Sequence, residues 1–218
     1  MARENDDRRF GEQPLAQTVA AAAAIRRLTG MLLSLEHPHP TVDAMLAQFA
    51  EWERELADVV LPDSAPRRDS DGDDKRVYLG HAFDIGAFNP CFPEYRFDHL
   101  DAETASGTVT FPLVFEGPPG LVHGGFLAVF FDCVTQNHNC AAARTGRTRS
   151  LTVTFRRPTP VLTELRFDIV RSEVDQAVTS TARILHDGQV LCVGELNALA
   201  MAPEQLTVSQ YGLRRDGR

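Results

Sequence analysis

The sequence has little that would bind nucleic acid, cross a membrane or require disulfides. Its 22 Lys and Arg residues are outnumbered by 30 Asp and Glu residues, giving a net charge of −8, whereas a nucleic-acid-binding surface needs a basic excess. No apolar run reaches the length of a membrane span. The four cysteines form no CxxC pair, which favours free thiols and a reducing, cytoplasmic setting.

Motifs for cofactors and metals are also missing. The sequence contains neither a Walker loop nor a dinucleotide fingerprint. The acidic stretch 69–74 lacks the Gly and Glu that a calcium loop needs, and His37 and His39 have no cysteine nearby. The sequence therefore predicts no metal and no cofactor.

The composition, 43% hydrophobic and 24% charged over 218 residues, is that of a globular chain with one core and an extension. We predict three parts: an N-terminal helical extension and linker over 1–75, a domain over 76–204 and a polar tail over 205–218. Helical spacing of apolar residues predicts a helix over 14–36, which the run His37-Pro-His39-Pro ends. Thr41 is predicted to cap a second helix.

After residue 75 the sequence pattern changes from helical spacing to strand-like alternation. Alternating patterns predict strands at 76–83, 95–97, 106–115, 148–156, 164–172, 177–186 and 189–200. A long apolar helix is predicted over 121–143, and Asp187-Gly188 predicts a tight turn between the last two strands. A buried helix followed by successive antiparallel strands indicates an α+β fold with a sheet wrapped around the helix.

The most informative segment runs from Glu116 to Asp132. A turn-rich loop leads into His123-Gly-Gly, and an apolar helix carrying a single acid follows. The glycines let a ligand approach the main chain closely, and a helix start offers free N–H groups to an anion or oxyanion. Asp132 is the candidate acid, so the segment is a candidate acyl-transfer site.

This segment resembles the hotdog-fold acyl-CoA thioesterases, in the subgroup similar to phenylacetate-degradation thioesterases. Members show His-Gly-Gly followed nine residues after the His by an Asp, here His123 and Asp132. The run 150–160 resembles the strand and proline turn that follow their central helix, and the resemblance covers about residues 76–202. It implies a hotdog fold, hydrolysis of acyl-CoA to free acid and CoA, and sites at the interface of a homodimer.

The catalytic candidates each have a role that thioester hydrolysis needs. The N–H groups of Gly124 and Gly125 would stabilise the oxyanion, and Asp132 would act as general base or as nucleophile. His123 either positions the loop or the thioester, or only caps the helix. Phe126, Phe130 and Phe131 either line an acyl cavity or pack in the core.

A second group of residues is predicted to bind the substrate: Glu116, Gly117, Gln136, Thr152, Thr154, Arg156 and Arg157. Many relatives carry Asn or Gln six residues before the His, where this chain has Gly117. Glu116 either fills that role or is an exposed loop residue. Gln136 lies one turn after Asp132 and could bond it or a water. Relatives often place a hydroxyl near the site from the strand after the helix, for which Thr152 and Thr154 are the candidates.

Helix geometry predicts a dimer. Gly124 and Asp132 are eight residues apart, a rise of about 12 Å. Both can act on one substrate only if the acid comes from a second copy of the helix, which an antiparallel two-fold pair provides. We therefore predict a homodimer or a dimer of dimers with an acyl-CoA substrate.

Two other functions stay open at this point. A hydratase or dehydratase acting on an acyl thioester would use the same fold, and a non-catalytic acyl-CoA-binding protein would bind without turnover. The length of the acyl chain and the identity of the carrier, CoA or carrier protein, are also open.

Overall fold

The computed structural model of the chain describes residues 16–59, 85–142 and 146–200. The predictions for residues 1–13, the linker 62–75, the strand 76–83 and the tail 205–218 lie outside these ranges, and so do both predicted domain boundaries. Within the described ranges no helix has the length and hydropathy of a membrane span.

Two N-terminal helices form the predicted hairpin, α1 (Ala16–Leu33) and α2 (Pro40–Ala57). The predicted cap of α2 was wrong by two residues: His39 is the N-cap, and its Nδ1 accepts a hydrogen bond of 3.2 Å from the N–H of Thr41. The reason is Pro40, whose fixed φ suits the first helical position, so that Thr41 already lies inside the helix.

Arg26 anchors α1 to the rest of the chain. Its side chain is only 5% exposed and donates to the main-chain carbonyls of Gly86, Asn89 and Phe92. One cation thus satisfies several carbonyls of the segment before the first strand. Helix α2, by contrast, has no buried residue.

In the part of the chain that the structure describes, six antiparallel strands make one sheet in the order β1-β2-β4-β5-β6-β3. Helix α3 (Gly124–Ala141) is the long predicted helix. The strands are β1 (Tyr95–Leu100), β2 (Thr104–Thr110), β3 (Gly146–Phe155), β4 (Glu164–Val174), β5 (Ala177–His186) and β6 (Gln189–Ala200).

Sheet and helix enclose one aromatic-rich core, as predicted for a sheet wrapped around a helix. Phe130 and Phe131 of α3 are fully buried. Phe130 packs edge-to-face on Phe111 and Phe167 from the sheet side. Gly194 of β6 lies so close to the ring of Phe131 that an added Cβ would have no room. This close approach seats the helix on the sheet and fixes the position of its N-terminal end.

Several element boundaries differ from the predictions, among them the starts of β2 and β3 and the end of β4, each by two residues. Strand β2 ends at Thr110 instead of 115, because Pro112 has no N–H for the ladder and a 3-10 turn, Leu113–Phe115, follows. Helix α3 begins at Gly124 instead of 121, because 121 and 122 pair with the chain in isolated β-bridges. Strand β1 extends beyond 97 to Leu100.

The turn between β5 and β6 is confirmed where Asp187-Gly188 predicts it. Both residues have positive φ, 48° and 73°, as the two central residues of a type I′ hairpin turn require. Strands β5 and β6 have the predicted bounds.

Candidate functional site

A short loop before α3 shapes the start of the helix. The N–H of Gly117 bonds the carbonyl of Leu121 at 2.9 Å, and Oε1 of Glu116 accepts from the N–H of Gly120 at 2.6 Å. Gly120 has a φ of 78°, which glycine adopts without strain. The carboxylate of Glu116 is therefore engaged in closing the loop.

Gly117 lets this loop approach the helix start. A Cβ at Gly117 would lie 2.9 Å from both Cα and Cβ of His123, closer than real Cβ contacts. Position 117, where many relatives carry Asn or Gln, therefore has no room for a side chain in this protein, because His123 lies too close.

His123 is the N-cap of α3. Its exposed ring accepts, through Nδ1, a hydrogen bond of 3.0 Å from the N–H of Gly125. Its carbonyl accepts from the N–H groups of Phe126 and Leu127. Gly124 is thus the residue at the helix start whose N–H has no partner among the described residues. One of the two predicted oxyanion donors is occupied by the cap, and the other is available.

Gly124 lines a cleft of about 370 Å³. The cleft lies between the loop before α3 and the end of β3, and its lining includes Leu127, Phe155, Arg156 and Arg157. Phe155 is 57% exposed, and its ring tip is 3.0 Å from where a Cβ of Gly124 would be. The structure thus brings predicted site residues Gly124, Arg156 and Arg157 to one cleft.

Asp132 lies further along α3, half-buried against the start of β3. Its Oδ1 accepts a hydrogen bond of 2.9 Å from the hydroxyl of Thr148. Gln136, one helical turn later, donates from Nε2 to Thr148 Oγ1 at 2.6 Å. Gln136 therefore reaches Asp132 through a threonine and not directly.

Thr148 is the hydroxyl that the sequence pattern missed. Thr152 and Thr154 are exposed and alternate with Leu151 and Val153, which pack on the core. Simple alternation would place Thr148 with Thr152, on the outer face. A β-bulge between Thr148 and Ser150 inserts one residue and turns Thr148 towards the helix.

The polar side chains in the C-terminal half of α3 form hydrogen bonds that hold the helix to neighbouring elements. His138 is fully buried and its Nε2 lies 2.7 Å from the carbonyl of Asp101; burial lowers the pKa of this imidazole. Asn137 donates to the hydroxyl of Tyr95 at 2.9 Å, and Asn139 accepts from Arg171 at 2.9 Å. These contacts tie the end of α3 to β1, to the turn after it and to β4.

The three phenylalanines considered for an acyl cavity, Phe126, Phe130 and Phe131, fall into two groups. Phe130 and Phe131 belong to the closed core. Phe126 is partly buried, 4.9 Å in ring-centroid distance from Phe115 and 6.0 Å from His123, and so lies beside the helix start.

All four cysteines lie in the described residues, and none of them forms a disulfide there. Cys140 and Cys192 are buried and Cys133 is half-buried, whereas Cys91 is exposed. Burial raises the pKa of the Cys192 thiol to about 11, so this sulfur is an apolar packing group at neutral pH.

Comparison with solved structures establishes the class of fold. A crystal structure of a thioesterase superfamily protein aligns with a TM-score of 0.67 over 87% of this chain and 94% of that chain, at 23% identity. Since residues 85–200 are about half of the chain, this alignment extends well beyond the sheet and α3. The chain therefore shares the fold of that protein, the hotdog fold that the resemblance implied.

Two further solved structures are similar to about half of the chain. A phenylacetic acid degradation-related thioesterase from Ralstonia eutropha has a TM-score of 0.45 at 20% identity over 48% of this chain and 83% of that chain. A hypothetical thioesterase from Streptococcus pneumoniae, solved with coenzyme A, has a TM-score of 0.47 at 13% identity over 50% and 87%. No family model and no curated protein matches this chain.

Proposed function

We propose that this protein hydrolyses acyl-CoA thioesters to the free acid and CoA. One observation carries the proposal: Gly124, the first residue of a largely buried helix, lines a cleft together with Arg156 and Arg157, and its N–H has no partner among the described residues. A thioester carbonyl there would accept from this N–H, and the donor would stabilise the oxyanion in the transition state.

The two arginines suit the CoA end of such a substrate. Neither Arg156 nor Arg157 has an ion-pair partner among the described residues, so both are available to phosphate oxygens. Charge-assisted bonds to phosphate are among the stronger hydrogen bonds in proteins.

Asp132 is the proposed acid of the reaction. As base, it takes a proton from water while the water oxygen bonds to the carbonyl carbon; the C–S bond then breaks and the sulfur takes the proton as CoA thiol. As nucleophile, its oxygen forms a mixed anhydride, which water then hydrolyses. Thr148 holds the carboxylate in either role.

The two halves of the proposed site lie on different copies of the chain. Gly124 and Asp132 of one copy are about 12 Å apart along α3. Among the described residues β3 lies at the edge of the sheet, and its ends lie beside these two residues: Phe155 lies next to Gly124, and Thr148 bonds Asp132. Antiparallel pairing of β3 with a second β3 would bring each Asp132 to the partner's helix start.

The test of the activity is thiol release from short, medium, long and aromatic acyl-CoAs. We expect hydrolysis of at least one class by the native protein. Hydration of an enoyl-CoA without thiol release would indicate a hydratase instead. Tight acyl-CoA binding without either reaction would indicate a binding protein.

Mixed dimers test the shared site. Asp132→Asn and Gly124→Pro are each expected to be inactive, since each removes one half of every site. After the two are mixed and reassociated, a hybrid dimer contains one intact site and one doubly defective site. About a quarter of native activity should return if partners exchange at random. No recovery, with exchange verified by mass spectrometry, would place both residues of a site on one chain.

A further inference from the structure

We propose that Gln136 is a positioning residue of the site, which acts by turning the hydroxyl of Thr148 towards Asp132. The inference rests on the proposed function, because it concerns the acid of that reaction. It assigns to Gln136 a task other than contact with substrate.

The donors and acceptors of the three side chains fix the direction of the two hydrogen bonds between them. The amide nitrogen of Gln136 can only donate, so at 2.6 Å it makes Thr148 Oγ1 the acceptor. A threonine hydroxyl has one proton, and Asp132 Oδ1 is the acceptor 2.9 Å away. Because the carboxylate oxygen accepts, the single hydroxyl proton points at Asp132, and one of the two lone pairs of the hydroxyl oxygen accepts from Gln136. The order is therefore Gln136 to Thr148 to Asp132.

Two features of the backbone make this arrangement. Asp132 and Gln136 are four residues apart on α3 and so lie on the same face of the helix. The bulge in β3 turns Thr148 towards that face. All three side chains are half-buried, so competition from water is reduced.

The arrangement distinguishes the two oxygens of Asp132. Oδ1 is occupied by Thr148, whereas Oδ2 has no hydrogen-bond partner among the described residues. Oδ2 is then the oxygen that takes the proton from water or attacks the carbonyl carbon. Without Gln136, the hydroxyl of Thr148 can rotate, and the carboxylate loses a fixed orientation.

A double-mutant cycle tests the inference. We expect Gln136→Leu to lower kcat about tenfold with KM within about twofold, because the lost interaction positions the acid and does not bind substrate. Thr148→Val should lower kcat by at least as much. The double variant should be no slower than Thr148→Val alone, because Gln136 acts only through that hydroxyl. Multiplicative losses would overturn the inference, as would native kcat in Gln136→Leu.

Conservative variants separate orientation from packing. Thr148→Ser keeps the hydroxyl and should retain most of kcat. Gln136→Glu preserves the shape, but its carboxylate accepts from Thr148 and draws the proton away from Asp132, so kcat should fall at least as far as in Gln136→Leu. Thr181→Val, a threonine on β5 paired with Val170 and Glu195, is the control and should keep native kinetics.

A measurement that does not depend on catalysis tests the inference separately from the proposed function. The side-chain amide signals of Gln136 in NMR spectra should shift in Thr148→Ala, and to a smaller extent in Asp132→Ala, compared with Thr181→Val. Unchanged signals would overturn the relay even if the protein is a thioesterase. Shifted signals in a protein that hydrolyses no thioester would support the relay and reject the proposed function.

Discussion

Asp132→Asn is expected to lower kcat for acyl-CoA hydrolysis by about 10²–10⁴-fold, the usual contribution of a positioned acid or base. Asparagine keeps the shape of the side chain, and its Oδ1 can still accept from Thr148, as Oδ1 of Asp132 does. What it lacks is an oxygen that can take a proton or attack a carbonyl. The measurement is single-turnover thiol release at saturating substrate.

The control for Asp132→Asn is its assembly and substrate binding. The oligomeric state and the affinity for a non-hydrolysable acyl-CoA should match those of the native protein, because the substitution removes no volume. Retention of more than about a tenth of native kcat would exclude Asp132 from the chemical step. In that event the acid must be sought elsewhere at the cleft.

Gly124→Pro is expected to lower kcat by about 10²–10³-fold, the cost of removing one oxyanion donor. Gly124 is the first residue of α3, a position where proline fits a helix well and only the N–H is lost. Since this N–H is the one left free by the His123 cap, the substitution should remove the donor without unwinding the helix. Circular dichroism and kcat, measured together, check both parts.

Gly124→Ala is the matched variant for this test. It adds the same Cβ, which would lie 3.0 Å from the ring tip of Phe155, but it keeps the N–H. Because the ring is exposed and can turn aside, alanine should cost far less kcat than proline. Equal losses in the two variants would mean that crowding by Phe155, and not the missing donor, causes the defect.

Much of the fold could be predicted from local patterns. Strands β5 and β6 and the turn between them follow from the alternation in β5, from the apolar run in β6 and from Asp187-Gly188, whose backbone requirement is local. The start of α3 could not be predicted as well. Leu121 and Val122 have the apolar character of the helix, but they form bridges to Pro160 and Glu116 that join distant parts of the chain.

The site was predictable in its residue types but not in its connections. Nothing local in His123-Gly-Gly shows that the imidazole occupies the N–H of Gly125, because a cap depends on the rotamer of the ring. The choice among strand threonines depended on a bulge that pairing with β6 creates. Alternation along the sequence does not reveal an inserted residue. It therefore pointed to Thr152 and Thr154 and not to Thr148.

The single buried guanidinium of α1 has a consequence for cooperativity. Arg26 bonds carbonyls 60 or more residues away in the chain. Helix α1 therefore cannot detach from the rest of the domain without leaving buried carbonyl groups without a hydrogen bond. Helix α2 has no buried residue and can open while the sheet stays intact. The two helices of one hairpin therefore belong to different units of local stability: amide hydrogens of α1 should exchange only when the domain itself opens, and those of α2 much sooner.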